Sequence, residues 1–180
     1  MVWAVYYRVR QFFQALSAQV LDEDLEEVAG ILTPASRMLF RSMAAQDQQH
    51  ALEVCSTLRR DGHTNPHLLA AALLHDVGKT AARLPPWQRA VIVLMKHLAP
   101  RLLLHLSTRE SPRRSTEIWD WRRPFVVHAR HPEVGAQWAE ETGCSPLTVS
   151  LIRRHEERLE NCQTEENRLL ALLQTADDLN

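Results

Sequence analysis

The residues of this 180-residue chain best suited to chemistry stand together in Leu68–Lys79, LLAAALLHDVGK, where seven small or aliphatic residues run directly into adjacent His75 and Asp76. An apolar run of this kind is a buried helix, so it delivers an imidazole and a carboxylate to the edge of a packed core, where both are costly unless paired. A divalent cation pairs them well, because imidazole and carboxylate are ligands for first-row metals. The other arrangement that satisfies them is a core histidine hydrogen-bonded to an aspartate that caps the turn before Gly78. Lys79 follows His75 by four residues, the spacing of one helix face. Its ammonium can neutralise a phosphate there or simply sit in solvent at a helix end.

Four further stretches accompany the doublet: QQHALEV around His50, HPEVGAQWAEETG from His131, LIRRHEE around His155 and LLQTADDLN from Leu172. With HDVGK, and in this order, they resemble the metal-binding pattern of the HD superfamily of phosphohydrolases over roughly residues 40 to 180. Five separated motifs in one order are far more specific than an isolated His-Asp pair. The resemblance implies a helical bundle in which His50, His75, Asp76, His131, His155 and Asp177 hold one or two metal ions. It places His50, His75, Asp76 and Asp177 on a first ion and His131 and His155 on a second, with Asp76 bridging. Asp177 is preferred to its neighbour Asp178 because it follows Ala176, as in the family's Ala-Asp pattern.

Mixed imidazole and carboxylate ligands suit Mn, Fe, Co, Ni or Zn better than Ca. Such ions activate water at neutral pH and stabilise charge on phosphoryl oxygens. The expected function is therefore divalent-metal-dependent hydrolysis of a phosphomonoester or phosphodiester, with Asp76 and Lys79 as catalytic residues and a nucleotide-like substrate. In the superfamily that the chain resembles, cyclic-di-GMP phosphodiesterases carry a Gly-Tyr-Pro segment after the motif of His155, and hydrolases of the stringent-response alarmone carry Glu-Asp after the doublet; neither is found here, which disfavours both substrates. The alternatives are a non-catalytic signalling or interaction module on the same bundle, since fold does not fix function, and a closed structural metal site.

The formal charge of −1 announces no nucleic-acid or membrane partner. Its distribution is uneven, however: residues 79 to 130 carry 11 Lys or Arg against three Asp or Glu. That segment is a candidate surface for a phosphate-bearing substrate, RNA or an anionic membrane, although such runs are more often a solvated face. Three cysteines at wide spacing, Cys55, Cys144 and Cys162, suit neither a disulfide framework nor a CxxC zinc site and point to a reducing cytoplasm. The start MVWAVYYRVRQFF does not read as a signal peptide. The apolar stretch Ala90–Leu106 is interrupted by Lys96, His97, Pro100 and Arg101, so it reads as a buried or interfacial helix rather than a membrane span.

These residues must be positioned by helices, because apolar residues recur at three- and four-residue steps and alternating runs are absent. Four polar-proline pairs, Thr33-Pro34, Asn65-Pro66, His131-Pro132 and Ser145-Pro146, read as helix starts, and Gly62 and Gly143 as helix stops. The predicted class is an all-α, single-domain bundle, with an N-terminal helical extension over 1–39 and the metal-binding domain over 40–180. Helices are predicted near 3–20, 22–32, 34–61, 66–76, 86–99, 101–107, 132–142, 146–160 and 165–178, with a surface loop over 107–125.

Overall fold

The computed structural model describes residues 22–81, 95, 99, 102, 123–159 and 161–180. Among these there are helices and no strand. The helices are α1 Asp22–Ile31, α2 Pro34–Ser42, α3 Ala45–Arg60, α4 Pro66–Leu74, α5 Arg123–Glu141, α6 Pro146–Arg154 and α7 Glu165–Leu179, with a 3-10 segment at Val77–Ala81. The predicted helices at 3–20, 86–99 and 101–107, and most of the 107–125 loop, lie outside the described residues.

Local chemistry sets most boundaries. Thr33, Asn65 and Ser145 each sit in extended backbone and accept backbone N–H groups of the helix they open, with proline at its first turn. Gly62 and Gly143 adopt φ of +87° and +78°, the left-handed conformation that ends a helix and that other residues adopt at a cost.

Three expectations are corrected. The single helix predicted over 34–61 is two, because Met43 turns to extended backbone with its side chain buried, and the Gln48 amide donates to the freed Met43 carbonyl at 2.8 Å. His131-Pro132 does not start a helix: α5 runs through it from Arg123, so the end of the predicted loop is also helical. The helix after Ser145 stops at Arg154 rather than near 160, with His155 as its C-cap.

The middle of the bundle is α4. Its sequence PHLLAAALL is apolar on every side, which only a helix enclosed by others tolerates. Accordingly α1, α2, α3, α6 and α7 all pack on it, and Leu68, Leu73 and Leu74 are fully buried with Leu58 of α3, Ile152 of α6 and Leu173 of α7. Val28 and Leu32, from the predicted extension, belong to the same core. The 3-10 segment leaves α4 and lies on α5, which in turn packs on α6. No helix among the described residues is long and apolar enough to cross a membrane.

The 3-10 segment meets α5 through backbone. A Cβ on Gly78 would lie 2.0 Å from the His131 carbonyl oxygen and 2.8 Å from the Gly135 nitrogen, and one on Gly135 would lie 3.1 Å from the Gly78 nitrogen. Gly78→Ala is expected to cost about 1–3 kcal/mol or more, because backbone cannot yield as a flexible side chain does. Gly30→Ala, in α1 with nothing within 4 Å of its Cβ, should be neutral or slightly stabilising. Urea unfolding of the two variants side by side reads the contrast.

Candidate metal centre

The six predicted ligands come from five helices and the turn that follows α4. His75 is the C-cap of α4 and Asp76 begins the turn into the 3-10 segment. His155 is the C-cap of α6, His131 lies inside α5, His50 is in α3 and Asp177 is in the last turn of α7. Packing of α3, α6 and α7 on α4, and of α5 on α6 and the 3-10 segment, brings all six together in two adjoining groups, His50–His75–Asp177 and Asp76–His131–His155.

In the first group Asp177 Oδ1 lies 2.8 Å from His50 Nε2 and 3.5 Å from His75 Nε2. In the second, Asp76 Oδ1 lies 3.4 Å from His131 Nε2 and 3.8 Å from His155 Nε2, and the two Nε2 atoms face each other at 3.2 Å. The other Asp76 oxygen, Oδ2, is 3.6 Å from His75 Nε2. Asp76 therefore stands between the groups, one oxygen toward each. Asp177 rather than Asp178 faces the site; Asp178 is exposed.

The imidazoles are turned alike. His75 Nδ1 lies 2.9 Å from the Ala72 carbonyl, His131 Nδ1 2.5 Å from that of His128, and His155 Nδ1 2.8 Å from that of Ile152. Only an N–H can bond a carbonyl, so each ring carries a proton on Nδ1 and, in its neutral form, presents the Nε2 lone pair inward. The lone pairs of His131 and His155 then confront each other in a buried space, and His75 Nε2, also buried, makes no hydrogen bond among the described residues. A cation relieves both conditions. An ion bound to nitrogen and oxygen at about 2.0–2.2 Å spaces its ligands roughly 3–3.5 Å apart, close to the separations in the second group. These buried His and Asp groups could hold a metal ion.

Burial divides the site. His75, Asp76, His131 and His155 are buried, whereas the side chains of His50, Asp177 and Lys79 keep 27%, 33% and 33% of their exposure and form its open lip. Lys79 points its ammonium at Asp76 Oδ2. Arg153 and Arg154 instead make ion pairs outside it, with Glu133 and with Glu157 and Glu166. Among the remaining histidines, His67 joins the α6 cap through Ser145 Oγ at 2.9 Å, and His97 and His105 lie outside the described residues.

Sequence reasoning missed two contributors and the means by which a third acts. Asp47, buried one turn before His50 on α3, adds a carboxylate whose field reaches Lys79; its three-residue spacing from His50 was the available signal. Gly135 sits inside a helix, where glycine costs about 1 kcal/mol against alanine, and that anomaly marks the close approach to Gly78. The His128 carbonyl orients His131, a role no side-chain pattern reports.

Without an ion, the site balances its own charge. Burial opposes charge on His75, but Asp76 and Asp177 outweigh it and push this imidazole up to about 9. His155 moves down to about 4 through burial and the nearby His75 charge. Burial opposes charge on the carboxylates as well, yet Asp76 is held below the usual range by Lys79 and His75, and Asp177 by the imidazoles of His50 and His75. Lys79, against its own desolvation, is raised by Asp76 and Asp47.

Comparison with family models, with curated proteins and with solved structures finds no match to the chain.

The titrations set a pH profile for the metal-free fold. His75 binds its proton more tightly folded than unfolded, so its contribution is full below pH 6.5 and is lost as pH rises through about 9. His155 binds its proton less tightly folded, so stability is lost as pH falls from 6.5 through about 4. Asp76 and Asp177, with depressed values, add a further loss below about pH 4. The urea midpoint in the presence of a chelator is expected to peak near pH 6.5, and His75→Asn should flatten the alkaline limb.

Proposed function

We propose that this chain is a divalent-metal-dependent phosphohydrolase of the HD superfamily type, acting on a nucleotide-like phosphomonoester or phosphodiester. The observation that carries the reading is the convergence of three buried imidazoles, each tied through Nδ1 to a carbonyl of its own chain, on the two oxygens of Asp76. Retention of all six positions of the family pattern supports catalysis over a non-catalytic module. The open lip at His50 and Asp177 supports it over a closed structural site, whose ligands would fill the coordination sphere.

His50, His75 and Asp177 would hold one ion and His131 and His155 a second, with Asp76 shared between them, and Mn, Fe, Co, Ni or Zn would suit the donor set. When bound, such ions supply an activated water and neutralise charge on the phosphoryl oxygens. The chain itself supplies the geometry. Buried Asp76 fixes the spacing of the two groups, and the carbonyl-bound histidines need no rotation or change of tautomer to present Nε2. Asp177 and His50 leave the lip partly exposed, so a phosphate group enters from that side. Lys79, at the same lip, meets it with a positive charge while the buried helix ends exclude water from behind. The basic segment 79–130 would add long-range attraction for an anionic substrate. Three free cysteines, Cys55, Cys144 and Cys162, suit action in the cytoplasm.

The test is metal content after reconstitution with Mn, Fe or Zn, followed by hydrolysis of bis(p-nitrophenyl) phosphate and of a nucleotide panel. Asp76→Ala is expected to abolish metal retention and to lower kcat/KM by at least about 10²–10³-fold, whereas Asp178→Ala should change neither. A native protein that stays metal-free under every condition would overturn the catalytic reading. Lys79→Met should leave metal bound but raise KM for anionic substrates more than it lowers kcat; an unchanged KM would remove Lys79 from substrate binding.

A further inference from the structure

Pro132 stands inside α5, a position where proline normally breaks or kinks a helix because it has no N–H to donate and its ring presses on the carbonyl four residues back. That carbonyl belongs to His128, and it is the one that His131 Nδ1 approaches at 2.5 Å. The same relation holds at the two other buried histidines. His75 Nδ1 bonds the Ala72 carbonyl and His155 Nδ1 that of Ile152, each the carbonyl that the following residue would take if the helix went on. At those two positions the carbonyl is free because α4 ends at Leu74 and α6 at Arg154. At His131 the helix continues to Glu141, and only the missing N–H of residue 132 leaves the carbonyl to the imidazole.

We infer that Pro132 is a positioning residue: by withholding the backbone donor at 132 it reserves the His128 carbonyl for His131 Nδ1, which fixes the Nδ1–H tautomer and turns Nε2 onto Asp76 from the middle of an unbroken helix. Three histidines thus reach one orientation by two routes, a helix end or a proline inside the helix. The inference rests on the metal-site reading only where it concerns ion affinity.

The test compares native protein with Pro132→Ala and Pro132→Gln, both helix-forming and both restoring the N–H; Pro132 is partly exposed, so the larger side chain fits. Long-range 15N–1H spectra of the metal-free protein read the tautomer of each imidazole. Native His131 is expected as the Nδ1–H form, and both variants should shift it toward Nε2–H while His75 and His155 stay as they are. Thermal stability should be equal or higher in the variants, since an interior proline has been removed, yet Zn affinity at the Asp76–His131–His155 group should fall about 10- to 100-fold. A merely structural proline would move stability and leave the tautomer alone. Retention of the Nδ1–H form in both variants, or its absence from the native protein, would overturn the inference. A native protein that binds no Zn but shows the tautomer change would sink the metal reading and leave the role of Pro132 standing.

Discussion

The backbone contact between Gly78 and α5 is the constraint on which the site depends. A side chain at Gly78 would occupy the space of the His131 carbonyl, so only glycine lets the 3-10 segment lie directly on that helix. This contact sets Asp76, two residues earlier, against His131, and through α5 against His155 on α6. Any outward shift of the 3-10 segment by the thickness of a methyl group would separate the two oxygens of Asp76 from the imidazoles they face.

The remainder of the fold solves an electrostatic problem. Two carboxylates and three imidazoles have been taken largely out of water, and burial penalises every charge among them. In the chain alone, His75 and Lys79 carry the compensating positive charge, and one lone-pair confrontation remains between His131 and His155. Such an arrangement is held by what surrounds it. The largely apolar α4, enclosed by five helices, supplies the packing that forces His75 and Asp76 to stay at the core edge, while the i−3 carbonyls hold the rings in place.

Much of this was legible in the chain. The apolar run ending in His75-Asp76 identified the central helix and the end of it at which the buried His and Asp residues gather, because a charge pair at the end of a buried helix demands a partner. Asn65, Ser145 and Thr33 announced helix starts, and Gly62 and Gly143 helix ends, because capping is settled within a few residues. The same local rule failed at His131-Pro132. There a side chain replaces the missing backbone donor and packing on the 3-10 segment holds the helix through the proline, and neither partner is near in sequence. The break at Met43 was invisible for a related reason: burial of one side chain and a bond from Gln48 outweigh a helical pattern that reads as continuous.

The sequence by itself determined the all-helical class, the identity of the apolar centre and the residue types available for a metal, since these follow from periodicity, capping and ligand chemistry. Only the tertiary structure decided that His50 and Asp177, 127 residues apart, meet at 2.8 Å, that Asp76 faces both groups, and that three imidazoles point their Nε2 atoms inward. Those outcomes depend on how helices cross and how closely their backbones approach, and such long-range packing is written in no local stretch of the chain.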